Sequence, residues 1–181
     1  MACALTSGRE LSCRKSVGGI KAVYFADYGT LGDKSAWTFD STTGYIETFG
    51  TSTPNWFQFD LKGTNSLEQA ITASRENGSV VYEQTLTLTL PQLDKDTQDE
   101  IKLLAFGRPH VIVEDYNGNY LLVGEDNGAD VSGGTITSGT ALADLSGFTL
   151  TFLGQEKNPA SFVEYTAFSS DISTTQIDPA P

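Results

Sequence analysis

Histidine is almost missing from this chain: His110 is the single one in 181 residues. That removes metal centres built from several imidazoles, and it removes histidine-based catalysis unless His110 itself is the base. His110 follows Pro109 and opens the apolar run of residues 111–113, a strand start at which a structural role is expected. Cysteine is scarce too. Cys3 and Cys13 match no metal-ligand spacing. They suit either a disulfide closing a short N-terminal loop or two small half-buried thiols anchoring an arm, and cytosolic thiols usually stay reduced.

Positive charge is the next shortage. Eleven Lys and Arg stand against 23 Asp and Glu, a formal net charge of −12. Such a chain repels phosphate backbones, which argues against sequence-reading nucleic-acid binding. The excess acid serves either plain solubility or an acidic wall along which another polyanion slides without sticking. No apolar run approaches the ~20 residues of a membrane-spanning helix. The opening MACALTSGRELSCRKS lacks the pattern of a secretory signal, so synthesis in the cytoplasm is expected. No GxxxxGK[ST] pattern occurs, and no GxGxxG follows a strand.

What is present points to β structure. Ten Phe and seven Tyr supply a core, while 18 Gly and a single Met fit a turn-rich β protein better than a helical bundle. The expected organisation is an N-terminal arm over 1–19, a β domain of sandwich or barrel-like form over 20–154, and a polar C-terminal arm over 155–181. Residues 20–28 read as the first strand. Residues 29–53 read as a long loop with one or two short strands. In the strand expected over 54–62, Phe57, Phe59 and Leu61 share an apolar face, with Trp56 the one large apolar residue opposite.

The clearest strand ends at Leu90. Val80, Tyr82, Leu86, Leu88 and Leu90 share one parity, with Gln84 the exception; Glu83, Thr85, Thr87 and Thr89 share the other. Asn77-Gly78 before it signals a turn from a strand over 67–75. One helix is expected over 95–106, capped by Asp94 or Asp96, with Leu93, Thr97, Ile101, Leu104 and Ala105 on one stripe and Gly107 as a left-handed stop. Asn117-Gly118 predicts a hairpin between residues 110–116 and 119–125. A loop over 125–147 and a last alternating strand with Phe148, Leu150 and Phe152 on one face complete the domain.

No catalytic constellation emerges, and no cofactor is implied. Glu114 with Asp115, or Glu125 with Asp126, would be candidate acid pairs, but neighbours on a strand point to opposite faces and do not converge on one bond. Residues 125–130 (EDNGAD) hold oxygen ligands near a glycine, yet lack the spacing and closing Glu of an EF-hand, and read as an acidic turn. Asn77-Gly78-Ser79 matches a glycosylation sequon by chance. Tyr24, Trp37, Trp56, Tyr82 and Tyr120 are read as core or contact residues rather than a sugar platform.

From Asn77 to Val163 the order of parts resembles bacteriophage tail tube proteins: YEQTLTLTLPQL, the helix DKDTQDEIKLLAFG, the hairpin HVIVEDYNGNYLLVGED, the small-residue loop SGGTITSGTALADLSG and the strand FTLTFLGQEKNPA. The opening ACALTSGRELSCRKSVGGIKAVYFADYG also looks like the start of such tail proteins. The resemblance implies a non-enzymatic virion protein whose sheet curls toward a barrel beside the helix. It further implies homo-hexameric rings that stack into a tube for genome passage, in contact with other tail proteins and only transiently with DNA. A tail terminator, connector or capsid decoration protein, and a monomeric ligand-binding β-sandwich, are the rival readings. With a tube, both arms and the 29–53 loop would be ordered mainly by neighbouring subunits.

Overall fold

The computed structural model describes residues 8–9, 16–175 and 177. Cys3, Cys13 and most of the N-terminal arm lie outside the described residues. The protein is mainly β, with one α-helix among the described residues.

Among the described residues eleven strands form two sheets: β1 (Ile20–Ala26), β2 (Thr38–Phe39), β3 (Ile46–Thr48), β4 (Phe57–Asp60), β5 (Ser66–Ser74), β6 (Ser79–Pro91), β7 (His110–Asp115), β8 (Tyr120–Val123), β9 (Asp130–Thr137), β10 (Gly147–Glu156) and β11 (Ser161–Val163). The larger sheet runs β2-β3-β11-β8-β7-β1-β4, and the smaller runs β5-β6-β10-β9. All pairings are antiparallel except β3 with β11. The sheets face each other across a core of Val23, Phe25, Val111 and Val113 from one side and Leu86, Leu88, Phe148, Leu150 and Phe152 from the other. This is the sandwich expected when each sheet has an apolar face to bury.

The turns arise where the sequence signals them. Gly78 (φ 62°) closes the β5–β6 hairpin and Gly118 (φ 82°) the β7–β8 hairpin, conformations that glycine adopts without a Cβ penalty. In the second turn the Asp115 carboxylate accepts the backbone N–H of Asn117 and of Asn119, both at 2.8 Å.

The helix α1 (Lys95–Phe106) starts at Asp94, whose carboxylate accepts the Thr97 N–H at 2.8 Å. Its end differs from expectation. Gly107 has φ −96° and ψ 178°, so the chain leaves the helix by extension toward Pro109 rather than through a left-handed residue. Only Ile101 of the predicted stripe is buried; Leu104 is half-buried, and Leu93 and Ala105 are exposed.

Four further expectations are corrected, two of them on the sheets themselves. Within the predicted 125–147 loop lies β9, which shows no apolar alternation because it is an end strand held by its backbone ladder to β10. A Cβ on its Gly134 would meet the Thr149 carbonyl oxygen at 2.7 Å, which explains the small residue there. In the 54–62 segment, Trp56 is fully buried while Phe57 is exposed. Trp56 faces a second core on the far side of the larger sheet, a face the sequence reading left polar.

That second core also corrects the arm over 155–181 and the loop over 29–53. Ala22, Tyr24, Ala26, Ile112 and Leu122 of the larger sheet are covered by Leu31, Trp37, Phe49, Trp56 and Phe168. Residues 156–172 therefore belong to the domain itself: β11 joins β8 to β3, Phe168 is fully buried, and Ile172 pairs with Trp56. Isolated aromatic residues in a polar stretch find their partners on a sheet distant in sequence, so they carry no local period.

Candidate functional site

Register decides what the smaller sheet shows to solvent. Its inner face carries the core residues. Its outer face carries the alternate set: Thr89 pairs with Thr149, which pairs with Thr135; Ser66 pairs with Thr87, which pairs with Thr151; Thr85 lies between Glu68 and Leu153. Thr72, Glu83, Asp130 and Thr137 have the same orientation by the same registers. Nothing in the four strands is basic: β5, β6, β9 and β10 contain no Lys, Arg or His. The result is a broad hydroxyl-rich face whose only formal charges, from Glu68, Glu83 and Asp130, are negative. Glu83 and the three threonines of β6 are visible in the sequence. Glu68 and Asp130 join them only through strand pairing.

The smaller sheet has one polar intrusion on its inner face. Gln84 is fully buried and its Oε1 accepts the Gly124 N–H at 3.0 Å, tying β6 to the segment after β8. A backbone donor that leaves the β8 ladder is thereby satisfied.

Of the two candidate acid pairs, Glu114 and Asp115 do not converge, whereas Glu125 and Asp126, expected to point apart, meet at the Lys34 ammonium. Glu114 is buried beside Lys21 Nζ at 2.5 Å and accepts the Tyr24 hydroxyl at 3.0 Å, whereas Asp115 serves the Asn117 turn. Burial, then the Glu114 carboxylate, pushes the Tyr24 hydroxyl pKa well up. Glu125 and Asp126 are both paired with Lys34, and the Ser161 hydroxyl donates to Glu125 at 2.6 Å. The Glu156 carboxylate accepts the Asp126 and Asn127 N–H groups at 3.0 and 2.8 Å; burial still holds its pKa above the ordinary value. The glycine of this acidic turn has a packing reason. Gly128 has φ 78°, and a Cβ there would meet the Arg108 carbonyl oxygen at 2.4 Å. These carboxylates are thus engaged with protein donors.

His110 is a structural clasp. Its Nδ1 lies 2.6 Å from the Gly124 carbonyl oxygen and donates to it, which leaves Nε2 to accept the Gly29 N–H at 3.2 Å. Tyr28 stacks on the ring, and Arg108 lies over Tyr28. Burial, with Arg108 nearby, lowers the pKa below 6.5 despite the Gly124 carbonyl and the Glu125 carboxylate. A histidine that stays neutral in the fold binds its proton more readily when unfolded. Its contribution to stability is therefore complete above about pH 6.5 and falls as pH drops toward the lowered value. Thermal unfolding between pH 5 and 7 should show this as a slope that His110→Gln flattens. An unchanged slope would contradict it.

The aromatic candidates separate. Tyr24, Trp37 and Trp56 are core residues; Tyr82 and Tyr120 are half-buried. Asn77 of the sequon sits in the exposed β5–β6 turn, its N–H donating to Ser74 Oγ at 3.2 Å. Among the described residues no helix is long and apolar enough to cross a membrane. No protein-family model matches the chain, and no curated protein is significantly similar to it.

Proposed function

We propose that this chain is the structural subunit of a bacteriophage tail tube, forming homo-hexameric rings that stack around a channel for the genome. The observation that carries the reading is the outer face of the smaller sheet. Hydroxyls keep such a face wetted, and the absence of any cation removes every group that would pair with a phosphate. With only Glu68, Glu83 and Asp130 as charges, a passing duplex meets a wall that repels it weakly and binds it nowhere.

Two further observations support assembly. The smaller sheet ends in β5 on one side and β9 on the other, and among the described residues each leaves one edge without a strand partner. Open edges are a liability in a monomer, and pairing β5 of one copy with β9 of the next satisfies both by a head-to-tail contact. Such contacts close into a ring when the rotation fits. The second support is the sequence resemblance from Asn77 to Val163. On this reading the protein is made in the host bacterial cytoplasm, resides in the virion, contacts other tail proteins and performs no catalysis.

Electron microscopy of the purified protein at high concentration tests the proposal. Hollow rings or stacked tubes are expected. Particles that remain single chains at every concentration would contradict it and favour a monomeric binding module.

A further inference from the structure

Asparagine is followed by glycine three times in the chain, at Asn77-Gly78, Asn117-Gly118 and Asn127-Gly128. Such a pair is chemically labile. Glycine has no side chain to shield its amide nitrogen, which closes a succinimide ring on the neighbouring carboxamide when the two are free to meet.

All three asparagines are exposed, so access to solvent does not separate them. Hydrogen bonding does. In the β7–β8 turn the Gly118 N–H donates to the Asp115 carbonyl at 3.2 Å. The Asn117 carboxamide is held at both ends. Its Nδ2 donates to the Val17 carbonyl at 2.8 Å and to Asp115 Oδ2 at 3.1 Å, and its Oδ1 accepts the Val17 N–H at 2.9 Å. In the acidic turn the Gly128 N–H donates to the Gly124 carbonyl at 3.2 Å, and Gly128 is buried. Asn127 Nδ2 donates to the Gln155 carbonyl at 2.8 Å and to Glu156 Oε2 at 3.4 Å.

The β5–β6 turn lacks both restraints. Among the described residues the Gly78 N–H meets no acceptor and the Asn77 carboxamide has no partner; Asn77 is tied only through its own N–H, to Ser74 Oγ.

We propose that Asn77 is a site of spontaneous modification, converted through a succinimide to aspartate and isoaspartate, while Asn117 and Asn127 are preserved. The Gly78 nitrogen attacks Asn77 Cγ. A C–N bond forms, the bond from Cγ to Nδ2 breaks, and the Gly78 proton leaves with Nδ2 as ammonia. Water then opens the ring. Addition at Cγ gives aspartate; addition at the backbone carbonyl gives isoaspartate, with the chain rerouted through Cβ and Cγ. In the other two turns the attacking nitrogen must first release its carbonyl and the carboxamide its partners. That should hold their rates at least about tenfold lower.

The rerouted chain is longer between Ser74 and Ser79, the last pair of the hairpin. β10 accompanies β6 only as far as Tyr82. From Thr72 to Val81 the hairpin is therefore a two-stranded ribbon, marginal by itself and dependent on its turn for register. Val80 and Val81 are exposed there and add little packing to resist the change. Conversion should thus loosen the tip and spare the sheet below it.

The test is ageing of the dilute full-length protein in mildly alkaline buffer, followed by digestion, mass spectrometry and an enzymatic assay for isoaspartate. The peptide carrying Asn77 should convert at least about tenfold faster than those carrying Asn117 and Asn127, with isoaspartate among its products. In urea the three should convert at similar rates, since only the fold distinguishes them. Asn77→Gln, whose longer side chain closes a larger ring slowly, should stop the conversion. Asn117 or Asn127 converting as fast as Asn77 in the folded chain overturns the proposal, as does aspartate formed at position 77 without isoaspartate. Hydrogen exchange of the converted protein should speed up over residues 72–81 and stay slow over 85–90. Unchanged exchange at the tip would overturn its dependence on the turn.

Discussion

Ile101→Asp is expected to lose most of the domain's stability. Ile101 is the one buried residue of α1 and joins the core between the sheets with Leu90 and Phe148. Removing its apolar side chain costs about 2–5 kcal/mol by analogy with other large-to-small core changes. Burying an unpaired carboxylate adds several kcal/mol more unless the group takes up a proton. A domain of this size typically has ~5–15 kcal/mol in total. The internal control is Leu103→Asp, two residues on and 66% exposed, where a change within ~0.5 kcal/mol is expected. Urea unfolding of both variants should separate them widely. Similar midpoints would show that the helix does not dock through Ile101.

Phe168→Ala carries the second large effect. The ring lies 5.1 Å from Tyr24, 5.4 Å from Tyr120 and 6.0 Å from Trp56, in edge-on arrangements that favour aromatic pairs. Truncating a fully buried Phe should cost about 3–5 kcal/mol. The decisive condition is dilute, monomeric protein. If residues 156–172 belong to the chain's own core, the loss appears there in full, and the amides of β11 exchange slowly. If the segment waits for a neighbour, the dilute protein is unaffected by the substitution and those amides exchange fast.

That contrast also marks where the sequence was legible. The β6 strand and the two Asn-Gly turns could be read directly, because alternation and positive-φ pairs are local signals. Ile101 and Asp94 were legible for the same reason, since a helix writes its stripe and cap into consecutive residues. Phe168, Trp37 and Phe49 were not, because each is an isolated aromatic residue whose partner is a sheet far along the chain. β9 was missed because an end strand of Gly, Ser and Thr has no apolar period and is held by hydrogen bonds that composition does not announce. The candidate face was half visible: Thr85, Thr87 and Thr89 declare a polar side, but Glu68, Thr149 and Asp130 reach it only through registers that no single segment encodes.

In the proposed tube this face turns inward onto a water-filled channel. Thr87 lies on it, flanked across the ladder by Ser66 and Thr151. In a chain carrying Cys3→Ser and Cys13→Ser, Thr87→Cys supplies a single thiol whose reaction can be followed with a small maleimide and with a maleimide coupled to a globular protein. Both should label the dilute monomer. After assembly the small reagent should still react, since the channel is wet, while the protein-sized one should be excluded. Labelling by the large reagent at the same rate before and after assembly would place the face on the outside and contradict the account.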